Sequence, residues 1–217
     1  MSEADQEKQI AAEAAAELVE DGMTVGLGTG STVAFLLPAL AARGLKGIRC
    51  VATSVATEQQ ARELGVPVEE FSELRRLDIA IDGTDQVTPD GWLIKGGGGA
   101  HLREKIVAAA AERFVVIADS SKPVDALSAP VPLELFAFGL ASTLERLGSD
   151  VALRDAPASP DQGVIADYNG AKLGDPAELA ARLEADPGVA AHGLFPPDMV
   201  SAVLVGAGGT VERLTLS

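Results

Sequence analysis

Short apolar runs alternate with longer, helically spaced segments through the first half of the chain. Apolar residues recur every three or four positions in residues 2–20 and again from Val33 to Leu40, which predicts two helices. Pro38 is expected to bend or shorten the second one. Further helices are predicted over 57–64 and 101–113, and strands over 24–27, 48–53, 78–81 and 114–118. This alternation predicts a Rossmann-like α/β fold: a mostly parallel sheet with helices on both faces.

The pattern changes after Lys122–Pro123, where three prolines fall within ten residues. Residues 133–147 have helical spacing, and a second helix is predicted from Asp175, as its N-cap, to about Ala185. Short strands are predicted over 151–153, 163–166, 189–195 and 200–205. We therefore expect a small α+β domain of mostly antiparallel strands over residues 129–202. Residues 1–128 and 203–217 would form the Rossmann-like domain, with the last strand pair returning to its sheet.

Composition narrows the classes of function. Of the 217 residues, 17 are Lys or Arg and 32 are Asp or Glu, so the net charge of −15 argues against a nucleic-acid partner. Any bound anion must be met by locally placed cations. The single cysteine, Cys50, cannot form an intramolecular disulfide, and the opening residues have no apolar signal-peptide core. With no apolar run of about 18 residues, we expect a cytoplasmic protein without a membrane partner.

The glycine-rich stretch at residues 26–32 lies between a predicted strand and a predicted helix. Free amides and the positive helix end favour an anion there, and the hydroxyls of Thr29, Ser31 and Thr32 suit a phosphate monoester. Ser31 stands where a dinucleotide fingerprint needs glycine, and the Gly-Lys-Ser ending of a P-loop is missing. The alternative is an ordinary tight turn with Ser31 as the N-cap.

Two carboxylates, Asp82 and Asp85, follow a predicted parallel strand at the sheet edge where open α/β folds hold ligands. Ionised carboxylates accept hydrogen bonds from sugar hydroxyls. The alternative is a turn in which aspartate only makes local hydrogen bonds.

Lys95 opens a run of four glycines, residues 96–99. Ordering four glycines costs about 2–4 kcal/mol relative to alanine, which a backbone lying against a ligand would explain; a flexible linker is the alternative. Glu104 follows in the next helix, where a carboxylate can act as a base or simply be exposed. The helix dipole lowers its pKa and burial raises it, so the sequence leaves its state open.

Lys122 emerges after another predicted strand and is either a phosphate partner or an ordinary surface lysine. His101 and His192 are the only histidines, and neither they nor Cys50 has metal-ligand spacing. We interpret both histidines as structural or surface groups, so a zinc site or a histidine-based triad is not expected.

Taken in order, five stretches resemble ribose-5-phosphate isomerases of the A type: Gly28-Thr29-Gly30-Ser31-Thr32, Asp82-Gly83-Thr84-Asp85, Lys95-Gly96-Gly97-Gly98, Arg103-Glu104-Lys105 and Asp119-Ser120-Ser121-Lys122. The resemblance covers nearly the whole chain. It implies an aldose–ketose isomerase of the pentose phosphate pathway that needs no metal or other cofactor, acts on a phosphosugar and forms a homodimer or higher homo-oligomer.

By the same resemblance, Glu104 would move a proton between C1 and C2 through an enediolate. Asp82 and Asp85 would hold and polarise sugar hydroxyls, and Lys95 would counter the developing charge. The remaining expected substrate-binding residues are the phosphate loop with its two lysines and the turns beside the aspartates and Lys95: Lys8, Gly28, Thr29, Gly30, Ser31, Thr32, Lys122, Gly83, Thr84, Gly96, Gly97 and Gly98.

Three departures from the family pattern stand out. Gln86 replaces an acidic residue, residues 166–170 replace a Thr-Asp-Asn-Gly-Asn turn, and residues 169–175 are short for the usual hairpin. The resemblance therefore implies a smaller α+β domain that is ferredoxin-like and abbreviated. Two other classes of protein remain as alternatives. A phosphosugar-sensing regulator would carry a DNA-binding helix pair, and a sugar-phosphate deaminase or coenzyme A transferase would need histidine chemistry or a nucleophilic glutamate with a large acyl-carrier site. The sequence shows none of these features clearly.

Overall fold

A computed structural model describes residues 1–216 of the chain. The helices are α1 Glu3–Ala16, α2 Val33–Arg43, α3 Val55–Glu63, α4 His101–Ala110, α5 Leu140–Leu147 and α6 Pro176–Glu184. The strands are β1 Thr24–Leu27, β2 Arg49–Ala52, β3 Ile79–Gly83, β4 Gln86–Val87, β5 Leu93–Ile94, β6 Phe114–Asp119, β7 Val131–Leu135, β8 Val151–Leu153, β9 Val164–Tyr168, β10 Val189–His192, β11 Leu194–Phe195, β12 Ala202–Ala207 and β13 Thr210–Arg213.

The main sheet has the strand order β13-β12-β6-β3-β1-β2. All its pairs are parallel except β12 with β13. Buried side chains of α1, α2 and α3 pack on one face, and those of α4 pack on the other. The predicted Rossmann-like fold is confirmed, as is the return of the last strands to the first sheet. In this register the carboxyl ends of β1, β3 and β6 open on the same edge.

Pro38 does not shorten α2, contrary to the sequence expectation, because the helix continues to Arg43 and ends on the left-handed Gly44. Proline removes the N–H that would bond the carbonyl of Ala34. Instead, Gln60 Nε2 of α3 donates to that oxygen at 3.4 Å. The Pro38 ring is exposed, so the helix accommodates it on its solvent side.

The second sheet has the order β10-β7-β9-β8 and is antiparallel throughout. With α5 and α6 it has the chain order βαββαβ, which is the ferredoxin-like pattern. All six elements of that pattern are present, so the expected abbreviation removes none of them.

The helix predicted over 133–147 is wrong in its first part, which belongs to strand β7. All five residues of this strand are buried. Its apolar residues do alternate, but the strand is only five residues long and is followed by the helically spaced residues of α5, so the segment as a whole has the spacing of one helix. The hydroxyl of Ser159 donates to the buried Glu134 carboxylate. The helix begins only at Leu140.

A third, small sheet of β11-β5-β4 lies between the other two. Leu93 and Phe195 pack into a core cluster with main-sheet residues, whereas Ile94 and Leu194 pack into the core of the second sheet. Lys95 follows β5 directly, so its position is fixed by contacts with both larger sheets. Within residues 1–216, no helix has the length and apolar character needed to cross a membrane.

Candidate active site

A cavity of about 210 Å³ opens at the carboxyl edge of the main sheet. Residues from all five stretches singled out in the sequence line it: Thr29, Gly30, Ser31, Thr32, Gly83, Thr84, Asp85, Lys95, Gly96, Gly97, Gly98, Glu104 and Lys122. Three of the expected site residues, Lys8, Gly28 and Asp82, are not among these lining residues. The structure therefore brings the five predicted stretches together at one cavity, although not every residue of these stretches lines it.

The inner end of the cavity holds three buried ionisable groups, Asp82, Lys95 and Glu104, which are only 2–4% exposed. Lys95 Nζ lies 2.8 Å from Asp82 Oδ2 and 3.2 Å from Glu104 Oε2, and it donates to the carbonyl of Gly83. The contact with Glu104 has ion-pair distance but lies outside hydrogen-bond geometry. Glu104 lines the cavity, while its Oε2, the oxygen nearest Lys95, is buried.

Burial dominates the protonation of these groups. It raises the pKa of Glu104 to about 8, with the nearby charge of Asp82 acting in the same direction and Lys95 opposing both. Burial also raises the pKa of Asp82, against the pull of Lys95. For Lys95, burial alone would lower the pKa, but Asp82 and Glu104 outweigh it and raise the value. The lysine stays charged, and Glu104 can exchange a proton near neutral pH.

Asp82 is held from three sides. Its Oδ1 accepts from the backbone N–H of Thr29 at 3.0 Å and of Gly83 at 2.7 Å, and its Oδ2 pairs with Lys95. Gly28 packs so closely that a Cβ at that position would overlap the carboxylate. Glycine is therefore required at 28 because of the aspartate, a reason that no local motif reveals.

The glycine run is an ordered wall of the cavity, so the flexible-linker alternative is wrong. Gly96, at φ +98°, lies against the ring of His101, and a Cβ there would lie 2.6 Å from His101 Cβ. The N–H of Gly97 donates to Asp85 Oδ2 at 2.9 Å. Thr84 fixes the adjoining turn by donating to the carbonyl of Ile94 at 2.9 Å. Asp85 is exposed at the cavity wall.

The outer end is the start of α2, whose N-cap residue is Thr32. No side chain caps this helix, so the alternative in which Ser31 serves as an ordinary N-cap is wrong. The first amides of α2 and the hydroxyls of Ser31 and Thr32 are placed to meet an anion. The hydroxyl of Thr29 instead bonds that of Thr53 at 2.7 Å, which ties the loop to β2.

The two expected phosphate lysines differ in position. Lys122, half-buried after β6, lines the cavity. Lys8 of α1 is not a lining residue, but it lies near enough to Asp119 for their charges to interact. Its neighbour Glu7 is buried and accepts from the N–H and hydroxyl of Ser120 at 3.1 and 2.7 Å. The first helix is thus fastened to the loop that carries Lys122.

Sequence reasoning missed the contacts that residues 129–202 make with the site. Gly193 accepts the backbone N–H of Lys95 at 2.8 Å, and Arg154 donates to the carbonyl of Gly97 at 2.8 Å. The ring of Phe195 lies 5.4 Å from Lys95 Nζ. None of these residues belongs to a local motif, so only their position in space identifies them.

The departure at Gln86 also has a structural reason. Its amide accepts from the N–H of Ser128 at 2.8 Å and donates to the carbonyl of the same residue at 2.9 Å. An ionised acid could accept but not donate, so the amide suits this position. The Gln86 side chain thus holds the backbone of the segment that leads into β7.

Both histidines are buried. Burial lowers the pKa of His101 to about 3 and that of His192 to about 4, and it raises the pKa of the Cys50 thiol to about 12. Across residues 1–216 no three His, Cys, Asp or Glu side chains are grouped so that they could hold a metal ion. That the reaction needs no metal remains a prediction.

The chain is similar to known proteins over its whole length. Residues 49–209 match the family model described as ribose 5-phosphate isomerase A, or phosphoriboisomerase A. The ribose-5-phosphate isomerase A of Caulobacter vibrioides is 47% identical over 97% of this chain and 98% of its own. That of Roseiflexus sp. is 49% identical over 94% of each.

Solved structures agree. Ribose 5 phosphate isomerase A from Neisseria gonorrhoeae superposes with a TM-score of 0.94 at 34% identity, covering 100% of this chain and 99% of that one. A D-ribose-5-phosphate isomerase in complex with phospho-erythronic acid gives 0.91 at 33% identity, over 98% and 99%. Because the family model, the relatives and both superpositions agree, the chain belongs to the ribose 5-phosphate isomerase A family.

Proposed function

We propose that the protein interconverts D-ribose 5-phosphate and D-ribulose 5-phosphate through an enediolate, with Glu104 as the base. One observation carries the proposal: a buried carboxylate with a raised pKa faces a cavity beside a charged lysine, while the other end of that cavity offers amides and hydroxyls to an anion. A general base works best when its pKa lies near the working pH. Glu104 meets that condition.

The chemistry balances within the substrate. Glu104 removes the proton from C2 of the open-chain aldose; the C–H electrons form the C1–C2 double bond, and the carbonyl electrons move to O1. The O2 proton is then transferred to O1, the C2 carbonyl forms, and Glu104 returns its proton to C1. No oxidant or reductant is consumed, so a proton carrier and charge stabilisation suffice.

Lys95 stabilises the negative charge on the enediolate oxygens. In a water-poor pocket a fixed cation is far more effective than in water. Asp82 was expected to hold a sugar hydroxyl, but both of its oxygens are occupied. We therefore assign it the task of keeping Lys95 charged and in place. Asp85, exposed at the cavity wall, accepts the sugar hydroxyls.

The phosphate binds at the start of α2. Its charge is met by backbone amides at the start of the helix, by the hydroxyls of Ser31 and Thr32, and by Lys122, which also lines the cavity. Lys8, near Asp119, adds a longer-range positive charge. The separation of this end from Glu104 sets which carbon atoms of a phosphorylated pentose reach the base.

The test is turnover of ribose 5-phosphate by chelator-treated protein, compared with Glu104→Gln. We expect full activity without metal in the wild type and a loss of at least about 10²-fold in the variant, because general-base catalysis contributes about 10²–10⁴-fold. Calorimetry should show that the variant still binds ribose 5-phosphate. Variant turnover above a hundredth of wild type contradicts the base role, and wild-type activity that vanishes with the chelator contradicts the metal-free mechanism.

A cytoplasmic location is still expected from the sequence. We also propose that the protein is a homo-oligomer. Phe138 is 96% exposed and Phe136 is 51% exposed, both in the loop between β7 and α5. Large apolar side chains exposed together are typical of an interface. Light scattering should give a mass above that of one chain, with Phe138→Ser shifting it downward; a monomeric wild type contradicts this proposal alone.

A further inference from the structure

Arg154, just after strand β8, reaches across to the glycine run of the active site. Its Nη1 donates to the carbonyl of Gly97 at 2.8 Å and lies 3.5 Å from that of Gly96. The same Gly97 donates its N–H to Asp85. One peptide segment of the cavity wall is therefore held between a cation from the second sheet and an acid from the first.

The arginine itself is fixed. Its guanidinium pairs in two places with Asp167 of β9, Nε donating to Oδ2 at 2.9 Å and Nη2 to Oδ1. Its backbone N–H donates to the carbonyl of Ile165 at 3.0 Å. Both side chains are about one-fifth exposed. A two-point arginine–carboxylate pair fixes the orientation of the guanidinium as well as its distance from the carboxylate. The remaining nitrogen, Nη1, is thereby directed toward the glycine run.

We infer that Arg154, oriented by Asp167, is a positioning residue for the isomerase reaction: it fixes the Gly96–Gly97 segment and, through it, the carboxylate of Asp85. The inference rests on the proposed function, in which Asp85 holds sugar hydroxyls. Arg154 is not among the residues lining the cavity, so its action is indirect. By this route the ferredoxin-like region contributes to a site built mainly on the other sheet.

The geometry implies a specific kinetic effect. Four consecutive glycines have little conformational preference of their own, so external contacts must define their shape. Misplacing a substrate-holding group by about 1 Å can slow a reaction about 10²-fold. Losing the Arg154 contact should therefore lower kcat more than it raises KM, because Glu104, Lys95 and the phosphate loop are untouched.

The chain offers a matched control in Arg146 of α5. Its pair with Asp186 has the same two-point form, Nε to Oδ2 at 2.7 Å and Nη2 to Oδ1 at 2.8 Å. It belongs to the same sheet-and-helix unit, and its side chain donates to Asp186, Ser142 and Thr143. Arg146→Met removes an equivalent ion pair and reports any general effect of losing one.

The experiment compares Arg154→Met, Arg154→Lys, Asp167→Asn and Arg146→Met in steady-state kinetics and in amide hydrogen exchange of residues 96–99. We expect kcat to fall about 10–100-fold in Arg154→Met, with KM changed less than about 5-fold. Faster exchange should occur in the glycine run. Arg154→Lys keeps the positive charge on a single donor nitrogen and should recover part of kcat, Asp167→Asn should fall in between, and Arg146→Met should stay within about 2-fold of wild type.

Equal kinetics for Arg154→Met and Arg146→Met, or unchanged exchange of residues 96–99, would overturn the inference. If Arg154→Met does not fold, Asp167→Asn decides alone: wild-type kcat and wild-type exchange contradict the positioning role. Failure here is distinct from failure of the proposed function, since an active wild type with an inactive Glu104→Gln leaves the isomerase assignment standing.

Discussion

The two ends of the cavity are built on opposite principles. At the inner end, Asp82, Lys95 and Glu104 are nearly inaccessible, and the lysine is already paired before any substrate arrives. At the outer end, Ser31 is exposed, Lys122 is half-buried, and no side chain caps α2. The inner end is a preorganised electrostatic site, whereas the outer end is completed by the ligand.

This difference separates catalysis from binding. Charges fixed in a dry pocket act strongly on the transition state and need no rearrangement during the reaction. Amides and hydroxyls at an open helix end bind a dianionic phosphate equally well in substrate and transition state, which lowers KM without changing kcat. Substitutions at the two ends should therefore have different kinetic signatures and different effects on stability.

The largest effect is expected from Lys95→Met. Removing one partner of a buried ion pair typically destabilises a fold by about 3–5 kcal/mol, and the enediolate loses its cation. Both remaining carboxyl groups, Asp82 and Glu104, then have pKa values raised further. Asp82 and Glu104 therefore contribute to the stability of the variant at low pH, where both are protonated. This contribution is lost as the pH rises through their raised pKa values. Denaturant unfolding at pH 5.5 and 8.5, with turnover assays, measures both effects.

Lys172→Met, an exposed lysine in the connection before α6, is the control for losing one positive charge. A Lys95→Met protein with wild-type turnover, or with a stability deficit that does not grow with pH, would contradict the preorganised inner end.

A smaller, pH-dependent gain in stability is expected for Glu104→Gln. The folded protein raises the pKa of Glu104 to about 8, whereas the pKa in the unfolded chain is near 4.5. Glu104 therefore contributes its full stabilisation to the wild type below about pH 4.5, and this contribution is lost as the pH rises to about 8. Each unit is about 1.4 kcal/mol, and glutamine does not titrate. The variant should therefore gain a few kcal/mol relative to wild type between pH 5 and 8.

Unfolding free energies across that pH range provide the measurement, with Glu145→Gln on the exposed surface of α5 as the comparison. If the difference between Glu104→Gln and wild type is constant with pH, Glu104 is not the buried acid that the structure describes.

The outer end should respond in binding alone. Lys122→Ala removes one cation from the phosphate site, so KM should rise about 10-fold while kcat stays within about 3-fold of wild type. Lys46→Ala, at an exposed residue that does not line the cavity, is the control. An effect on kcat as large as that on KM would show that the division between the two ends does not hold.

Much of this site could be predicted because its residues follow strand ends. Parallel strands bring their carboxyl ends to one edge, so the stretches after β1, β3 and β6 had to converge there. The helix spacing of α1 and α4 and the return of β12 to the main sheet were equally accessible from apolar patterning.

The rest depends on tertiary context. Strand β7 is short and continues into the helically spaced residues of α5, so its own alternation did not separate it from the helix. The exclusion of Asp82 from the cavity wall follows from two backbone N–H groups and Lys95 that only folding places around it. Arg154 contacts the glycine run from more than fifty residues away. Pairings of this range leave no local pattern in a single sequence.

The central claim is that burial beside Asp82 and Lys95 turns Glu104 into a base poised near neutral pH. A ¹³C NMR titration of glutamate side-chain carboxyl carbons tests it directly, with Glu104→Gln assigning the resonance. We predict one glutamate that titrates near pH 8 and is missing from the variant spectrum. If every glutamate carboxyl has finished titrating by about pH 6, the claim is contradicted.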